Sequence, residues 1–497
     1  MINFRRGNRL SSVVAVAALL SHAQCTDSGS SGTPGGADGG GDLSMRILPQ
    51  DPPSELAITS VNPPRSAQNQ VTALSIGGTG FVQGATVTVS GVPCDGPVVS
   101  RVNYTGTLIS CLLPVQAKTC GPQTIVVTNP DGKSVSDNKN FVRHPGGPAY
   151  AARVPLTTGG QPDGVLAADV NGDLKLDLIY ATRQTNTIGV RLGNGDGTFG
   201  TPATYASGGG SPIELALADF NGDQKLDVAV ANLTGNTVSL LIGDGTGKYA
   251  APVSIGFTGP SGLAVGDVNG DGKMDVLVTS TTNAVGVFLG SGAGTLAAAT
   301  PPAVPVGASP LDLVLGDING DTKLDLIATN LNDNTISIRL GNGNGTFNAT
   351  ATMATNAGPI GIAIADLNAD KFLDLVVANQ TAGNASIYLG TGFGNFFSTP
   401  TTLTVAPGTR YVTVSDLNRD GLLDLAFTNF SANNLGVYLG NGQGSFAGVT
   451  GATLFGAGAN PIGIAAGDFN GDGNQDLVAS DFGAATLTLL LATEQCK

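Results

Sequence analysis

The sequence predicts an all-β protein, in which a small immunoglobulin-like β-sandwich precedes a seven-bladed β-propeller. A nine-residue segment with Asp at positions 1, 5 and 9 occurs seven times, at steps of 50, 48, 50, 49, 50 and 52 residues. Each interval contains short aliphatic or β-branched runs bounded by Gly, Asn or Asp, which is typical of strands joined by tight turns. A four-stranded unit repeated about every 50 residues is typical of propeller blades.

Residues 1–23 have the layout of a secretory signal peptide. A basic segment, MINFRRGNRL, precedes an apolar run over 13–20 that is too short to span a bilayer. Small residues at 21 and 23 offer a cleavage site. The alternative is a lipoprotein signal with Cys25 as the acylated residue, although Gln24 and His22 depart from the bacterial pattern. Both routes predict export without a transmembrane helix, so we expect a secreted protein or one at the cell surface or outer membrane.

Two segments separate this signal from the repeats. Residues 24–54 are rich in Gly, Ser, Asp and Pro, which predicts a flexible linker. Residues 55–145 contain short apolar runs separated by turn signals, which favours a small β-sandwich. These runs are LAITSVNP, VTALSIGGTGF, ATVTVSG, TLISCLLP and QTIVVTNPDG.

Four of the five cysteines lie beyond the linker, and an even number is compatible with two disulfides in an oxidising compartment. The sequence allows three pairings. Cys94 with Cys111 is our first choice, and it would leave Cys120 with Cys496.

Residues 149–493 form the predicted propeller. In the second unit the four strands lie in SPIELALAD, LDVAVAN, NTVSLLIG and APVSIG. Six units carry a second, glycine-rich turn before the fourth strand, whereas the seventh unit stops near Leu491 without one. We therefore expect residues 150–156 to supply the outer strand of the seventh blade and to close the ring.

The repeated nine-residue segment predicts a calcium loop. Carboxylate or amide oxygens occupy positions 1, 3, 5 and 9, and a hard cation such as Ca²⁺ takes oxygens from alternate residues of a tight loop, one of them a backbone carbonyl. Position 7 varies, which suits a carbonyl donor. Up to seven structural Ca²⁺ ions are therefore predicted. The predicted ligands are Asp169, Asn171, Asp173, Lys175 and Asp177; Asp219, Asn221, Asp223, Lys225 and Asp227; Asp267, Asn269, Asp271, Lys273 and Asp275; Asp317, Asn319, Asp321, Lys323 and Asp325; Asp366, Asn368, Asp370, Phe372 and Asp374; Asp416, Asn418, Asp420, Leu422 and Asp424; and Asp468, Asn470, Asp472, Asn474 and Asp476, with each position-7 residue acting through its carbonyl.

The alternative is that these segments are Asx-rich turns that bind nothing. Against it, three carboxylates in each of seven loops would repel one another without a cation. These loops hold 21 of the 37 acidic residues and account for much of the net charge of −14. The acidity therefore supplies ligands, and it argues against nucleic acid as a partner.

Residues 55–145 resemble the IPT/TIG family of immunoglobulin-like domains. The resemblance rests on Ile58-Thr59-Ser60-Val61-Asn62-Pro63, Gly77-Gly78-Thr79-Gly80-Phe81, Val92-Pro93-Cys94, Ile109-Ser110-Cys111 followed by Pro114, and Val127-Thr128-Asn129-Pro130-Asp131-Gly132. It implies a spacer or interaction module of extracellular proteins, usually without catalysis.

The array resembles the FG-GAP/VCBS repeats, the calcium-loop propeller repeats of integrin α-subunits and many exported bacterial proteins. The repeated DxNxDxxxD carries this resemblance. The sequence departs from the pattern where Ala369 and Arg419 replace Gly at position 4, and where Gln475 replaces an apolar residue at position 8. These departures put the last three sites in doubt.

The function that follows is binding or adhesion toward an extracellular protein or matrix ligand. Strand alternation places the calcium loops and glycine-rich turns on one face of the disc. The opposite face is polar and rich in amide side chains, and the sequence leaves open which of the two faces meets a partner. Candidate residues on the opposite face are Arg183, Asn232, Asn330, Asn379, Arg410, Tyr411 and Asn429. The competing reading is that the Asn residues only close hairpins.

Two other functions compete with protein adhesion. A carbohydrate-binding lectin is the first alternative, although Trp is absent and aromatics are 5% of residues. An enzyme acting on polysaccharides is the second. The two histidines, His22 and His144, lie in the signal and the inter-domain linker, and no GxSxG or HExxH motif occurs. We therefore predict no catalytic residues, no enzymatic activity and no cofactor other than Ca²⁺.

Overall fold

The computed structural model describes residues 56–62, 65–67, 72–101, 107–113, 121–137, 142–144, 148–448 and 454–493. The predicted signal peptide and linker, with Cys25, lie outside these residues, as do Cys120 and Cys496. Every regular element in the described ranges is a strand, which confirms the all-β prediction. None of the described segments is a helix long and apolar enough to cross a membrane.

The first domain is a β-sandwich, as predicted. Its strands are β1 (Ala57–Asn62), β2 (Arg65–Ala67), β3 (Thr72–Thr79), β4 (Thr86–Val89), β5 (Val92–Pro93), β6 (Asp95–Arg101), β7 (Thr107–Leu113), β8 (Gly121–Pro122), β9 (Ile125–Thr128), β10 (Ser134–Asp137) and β11 (Val142–His144). They form sheets in the orders β1-β3-β7-β6, β10-β9-β4-β5 and β2-β11-β8. Alternate apolar side chains such as Ile76, Val87, Ile109 and Val127 form one buried core.

Cys94, which follows β5, forms a disulfide with Cys111 in β7. The bond joins the two four-stranded sheets at the edge of the core, and it confirms the pairing that the sequence favoured.

The repeats form seven sheets that are ordered from an inner to an outer strand. The strands after the first domain are β12 (Ala149–Tyr150) and β13 (Val154–Thr157); in blade 1, β14 (Pro162–Ala168), β15 (Asp177–Thr182), β16 (Thr187–Arg191) and β17 (Ala203–Ala206); in blade 2, β18 (Pro212–Ala218), β19 (Asp227–Asn232), β20 (Thr237–Leu241) and β21 (Val253–Gly256); in blade 3, β22 (Pro260–Gly266), β23 (Asp275–Ser280), β24 (Ala284–Gly290) and β25 (Leu296–Pro305); in blade 4, β26 (Pro310–Gly316), β27 (Asp325–Asn330), β28 (Thr335–Gly341) and β29 (Phe347–Ala354); in blade 5, β30 (Pro359–Ala365), β31 (Asp374–Asn379), β32 (Asn384–Tyr388) and β33 (Thr401–Thr404); in blade 6, β34 (Thr409–Ser415), β35 (Asp424–Asn429), β36 (Asn434–Gly440), β37 (Phe446–Gly448) and β38 (Leu454–Gly456); in blade 7, β39 (Pro461–Gly467), β40 (Asp476–Asp481) and β41 (Thr486–Leu490), followed by β42 (Ala492–Thr493).

Burial follows the position of each strand in its blade. The inner strand and the second strand of blade 2 are buried along their whole length, because both of their faces pack against neighbouring blades. The outer strand β21 is mostly exposed. This gradient explains why the first two strands of a repeat read as continuous apolar runs whereas the fourth strand is polar.

The ring closes by a splice between the two ends of the repeat array. Strand β13 pairs antiparallel with β41 as the outer strand of blade 7, and β12 pairs with β42. Neighbouring inner strands contact each other around the ring, including β14 of blade 1 with β39 of blade 7. The expected splice is confirmed, with the main strand at Val154–Thr157 instead of 150–156. The third strand of blade 7, β41, is thereby paired on both sides, like the third strands of the other blades.

Candidate functional site

The side chains of each repeated loop fold the loop around themselves. In blade 1 the Asp169 carboxylate accepts backbone N–H bonds from Gly172 at 2.7 Å and Leu174 at 2.8 Å. Asn171 Oδ1 accepts the Asp173 N–H at 2.9 Å, and Asp173 Oδ1 accepts the N–H of position 7 at 3.0 Å. Blades 2, 3 and 4 have the same set of bonds. The loop is therefore an ordered structure, in which side-chain oxygens accept the backbone N–H bonds of the following residues.

Position 9 connects the loop to the rest of its blade. Asp177 is fully buried as the first residue of β15; its Oδ2 accepts the Val170 N–H at 3.0 Å and its Oδ1 accepts the Gly193 N–H at 2.8 Å. Burial raises the pKa of the Asp177 carboxyl to about 6, although these two N–H bonds oppose the shift. The equivalent Asp makes both bonds in every blade.

Our reading of the sequence missed the partner that follows the third strand. This residue is glycine in six blades and Ala492 in the seventh, where its N–H lies 2.6 Å from Asp476 Oδ1. Its signal in the sequence is the spacing from position 9, which is 16 residues in six blades, as from Asp177 to Gly193, and 15 in blade 3. The side chain varies because only the backbone N–H is used.

In blades 1 to 4 a lysine ammonium accompanies the loop. Position 7 carries Lys175, Lys225, Lys273 or Lys323, and its Nζ lies 4.0, 3.4, 3.3 or 3.4 Å from the position-5 carboxylate. These ion pairs are half exposed, so each contributes little to stability. Blades 5, 6 and 7 have Phe372, Leu422 and Asn474 at this position.

The departures at position 4 keep the backbone conformation of glycine at that position. Ala369 and Arg419 have φ of 61° and 60°, in the same left-handed region as Gly172 at 78°. This conformation costs a residue with a Cβ more than it costs glycine. Blades 5 and 6 therefore keep the loop shape at some strain.

The loops lie at the junctions between blades. The N–H of Gly294, in the glycine-rich turn of blade 3, donates to the Phe220 carbonyl in the loop of blade 2 at 3.0 Å. Blades 4 and 5 repeat this bond toward the preceding blade, and Gly197 makes it with Phe469 across the splice at 2.8 Å. Gly294 has a φ of 74°, in the left-handed region that favours glycine, and a Cβ there would also lie 2.7 Å from Ile242 Cδ1. Each of these loops therefore contacts two blades, its own and the next, so fixing the loop stabilises both.

The donor chemistry of the loops fits a hard cation. Each offers three carboxylates, one amide oxygen and a backbone carbonyl, which is the set that Ca²⁺ prefers. Asn171 Oδ1 and Asp173 Oδ1 each accept one N–H bond and keep a further lone pair, whereas Asp169 Oδ1 accepts the N–H groups of Asn171, Gly172 and Asp173. No three acidic, His or Cys side chains form a ready-made metal cluster within the described ranges.

The asparagines proposed for the opposite face are not available to a partner. Asn232, Asn330, Asn379 and Asn429 are fully buried at the ends of second strands. Asn232 Nδ2, for example, donates to the Ser207 carbonyl at 3.2 Å and to Ser239 Oγ at 3.0 Å. The proposal that these residues bind a ligand was wrong, and the hairpin reading is correct.

The three other candidates also turn inward. Arg183 pairs with the buried carboxylate of Asp163 and lies over the Phe482 ring. The Arg410 guanidinium lies over a phenylalanine ring, 5.0 Å from its centroid. Tyr411 lines a small cavity at the centre of the ring. What remains exposed on this face is the tips of the hairpins between second and third strands.

The exposed tips differ from blade to blade on one repeated scaffold. They include Gln184-Thr185 in blade 1, Thr281-Thr282 in blade 3, Asn332-Asp333 in blade 4 and Gly483-Ala484 in blade 7. The backbone that carries them is nearly the same each time, so the face is uniform in shape and varied in chemistry.

Comparisons with known proteins agree with this architecture. The FG-GAP-like repeat family matches residues 169–230, 219–278, 267–328, 317–377, 366–427 and 416–479, and the IPT/TIG domain family matches residues 56–142. No curated protein matches the chain.

Among solved structures, BBS1N in complex with ARL6DN, soaked with lead, shares 12% identity at a TM-score of 0.50, covering 69% of this chain and 97% of that chain. The Pseudomonas aeruginosa periplasmic gluconolactonase PpgL shares 14% identity at a TM-score of 0.44, covering 68% and 94%. The first similarity bears on the fold alone, and we draw nothing from the second.

Proposed function

Because this chain belongs to the FG-GAP-like repeat proteins and carries an IPT/TIG domain, we propose that it is an exported, calcium-stapled binding or adhesion protein with an extracellular protein or matrix ligand. The observation that carries the proposal is the face of variable hairpin tips on a closed ring. A rigid scaffold that presents different side chains from seven equivalent positions is suited to recognition. Its repeats and its IPT/TIG domain are typical of binding proteins.

In this proposal, calcium has a structural role, which is to stabilise the propeller that carries the binding face. The side chains of positions 1, 3, 5 and 9 and the carbonyl of position 7 would hold each ion, which would neutralise the clustered carboxylates at a blade junction. At a free concentration ten- to a hundredfold above the dissociation constant, each ion adds roughly 1.4 to 2.7 kcal/mol to stability by mass action. The binding face is thereby kept rigid, and no chemistry at the metal is required.

The calcium sites are tested by Asp267→Ala in blade 3. The variant loses position 1, which accepts the N–H bonds that shape the loop. We expect one Ca²⁺ fewer per chain by metal analysis, and a lower melting temperature in calcium. Asp131→Ala is the control, because Asp131 is an exposed carboxylate outside the loops. An unchanged calcium content in Asp267→Ala contradicts the assignment.

Binding is tested with the purified exported chain on arrays of extracellular-matrix proteins and glycans, in millimolar Ca²⁺ and in EGTA. A matrix protein that binds, and whose binding falls when Gln184 and Thr185 or Asn332 and Asp333 are replaced by Ala, supports the proposal. Tip variants that bind as well as the wild type place the ligand elsewhere. A folded, calcium-loaded chain that binds nothing contradicts adhesion.

A lectin is the second candidate, and one surface feature favours it. In blade 5, Phe372, Phe393 and Phe397 have exposed fractions of 44%, 85% and 59% on the loop face. Exposed aromatic rings suit stacking against sugars or apolar partners. Glycan binding that is lost in Phe393→Ala and kept in the tip variants would favour the lectin. The absence of enzymatic activity and the possible lipid anchor at Cys25 stay predictions.

A further inference from the structure

The inner strands place an alternating ring of residues around the propeller axis. The third residue of each inner strand is Gly164, Glu214, Gly262, Asp312, Gly361, Tyr411 and Gly463 from blade 1 to blade 7. Odd-numbered blades therefore carry glycine, and even-numbered blades carry a side chain that ends in oxygen. A Cβ on Gly262 would lie 2.5 Å from the Leu311 carbonyl oxygen, so the glycines let adjacent inner strands approach closely.

A cavity of about 20 Å³ lies inside this ring. Inner strands of six blades line it, including Gly164, Glu214, Asp312, Tyr411 and Gly463. A site of this volume has room for one water-sized occupant and excludes an organic ligand or a hydrated ion.

One buried carboxylate oxygen at this cavity lacks a partner. Glu214 is 7% exposed; its Oε1 is 3.4 Å from the Leu215 N–H, and its Oε2 has no hydrogen-bond partner among the residues that the structure describes. Tyr411, which is half-buried, lines the same cavity. Leaving a buried carboxylate oxygen unpaired is costly, which indicates that the cavity has an occupant.

Asp312 contributes a second carboxylate on the same side of the ring. It is 1% exposed, and its oxygens accept the Leu313 N–H at 2.8 Å and the Ile362 N–H at 3.1 Å. Each oxygen retains a free lone pair. Asp312 can therefore share an occupant with Glu214 without giving up these bonds.

The charge and the size of the cavity favour a small monovalent ion. Arg183 and Arg410 both act on Asp163, so its charge is compensated. Glu214 and Asp312 line the cavity without a guanidinium partner among the described residues, and a cation between them would reduce their mutual repulsion. A monovalent ion gives up its hydration shell at a lower cost than Mg²⁺ or Ca²⁺, which favours it in a cavity that has no room for hydrating water.

We propose that the axial cavity binds one desolvated monovalent cation of about sodium's size, held by the Glu214 and Asp312 carboxylates and the Tyr411 hydroxyl. This ion joins blades 2, 4 and 6 across the axis, whereas the rim loops join adjacent blades. It is a site separate from the calcium loops and does not depend on them.

The test measures thermal unfolding of the full, calcium-saturated chain at constant ionic strength, with sodium chloride exchanged stepwise for tetramethylammonium chloride. The wild type should melt higher as sodium rises, in a saturable manner, because tetramethylammonium is too large for the cavity. Glu214→Gln keeps the side-chain shape and removes the charge, and it should lose the sodium response. Asp196→Asn, in an exposed turn of blade 1, is the control and should keep it.

A sodium response that is absent in the wild type, or unchanged in Glu214→Gln, would overturn the proposal. If Glu214→Gln fails to fold, a high-resolution crystal structure of the wild type in sodium decides. Oxygen-to-occupant distances below about 2.6 Å support a cation, whereas hydrogen-bond distances of about 2.7 to 3.0 Å identify a water molecule and overturn the proposal. A melting temperature that is independent of sodium and falls as pH rises would assign a proton to Glu214 instead.

Discussion

The splice between blade 7 and β13 depends on one arginine, and Arg153→Ala tests how much it contributes. Arg153 Nε donates to Thr488 Oγ1 at 2.7 Å, and Nη2 donates to Asp481 Oδ2 at 3.1 Å and to Thr486 Oγ1 at 3.0 Å. The Asp481 side chain is fully buried, and Arg153 is 30% exposed. The arginine therefore joins the segment that precedes the outer strand to β40 and β41.

The loss of stability in Arg153→Ala depends on the hydrogen bonds that Asp481 keeps in the variant. Removing one partner of a buried ion pair costs about 3 to 5 kcal/mol. Asp481 retains bonds from Thr486, Thr488 and the Gly458 N–H at 2.8, 2.8 and 2.9 Å, so we expect a loss of about 2 to 3 kcal/mol. For a propeller of this length the unfolding entropy is about 0.7 kcal/mol/K, which converts this loss into a fall of about 3 to 4 °C in melting temperature.

The loss should depend on pH. Burial raises the pKa of the Asp481 carboxyl above its ordinary value of 3.8, and the bonds from Thr488, Thr486 and Arg153 oppose the shift. Below pH 3.8 the carboxyl is protonated in both states and the arginine charge has nothing to pair with. As pH rises through the raised pKa, ionised Asp481 needs its partner. The difference between wild type and Arg153→Ala should therefore be smaller at pH 4 than at pH 7.

Calorimetry and hydrogen exchange together give the assay. Exchange should accelerate first at Val154–Thr157 and Thr486–Leu490, the two strands of the splice. Arg153→Lys keeps the charge without the planar fork and should lose part of the stability, whereas the exposed control Lys248→Ala should lose none. A melting temperature within 1 °C of the wild type, or faster exchange spread evenly over the ring, would refute a local role for Arg153.

Two further predictions concern packing and the first domain. Gly262→Ala should destabilise the propeller by about 1 to 3 kcal/mol in denaturant unfolding, because the new Cβ would meet backbone atoms of Leu311 and Asp312 at 2.5 and 2.6 Å. Gly256→Ala in an outer strand has open space and should change stability by less than about 0.5 kcal/mol; equal effects would show that the inner strands are not tightly packed. Reducing the Cys94–Cys111 disulfide, which closes 17 residues, should cost the sandwich about 3 kcal/mol, and a variant with Ala at both positions should be insensitive to reductant; equal sensitivity would contradict this.

Features with a local signal could be predicted from the sequence. The loop beginning at Asp169, the strand that starts at Asp177 and the exchange of a strand at the splice all follow from a repeated pattern read along the chain. The Cys94–Cys111 pair joins neighbouring sheets and was the favoured choice among three. In each case the residues that make up the feature also carry the sequence pattern that predicts it.

Features that depend on contacts outside the repeated pattern could not be predicted. Asn232 reads as a polar loop residue, yet it is buried because Ser207 and Ser239 bond to it from another loop and another strand. Ala492 replaces a glycine without loss because its role is played by a backbone N–H. In blade 6 the outer edge is divided between β37 and β38, which the repeat pattern does not indicate.

The axial ring shows why alignment of the repeats reveals more than the sequence read straight through. Glu214, Asp312 and Tyr411 are about 100 residues apart, and each follows an ordinary apolar or basic neighbour, so no local pattern connects them. Closure of the ring brings them together, because equivalent positions of all blades converge on one axis. At the splice near Arg153, the ring is closed only by non-covalent contacts between the two ends of the array. The convergence of the inner strands on the axis depends on these contacts. Loosening it should therefore weaken the axial site as well as blade 7, even though Arg153 and Glu214 lie in separate sheets.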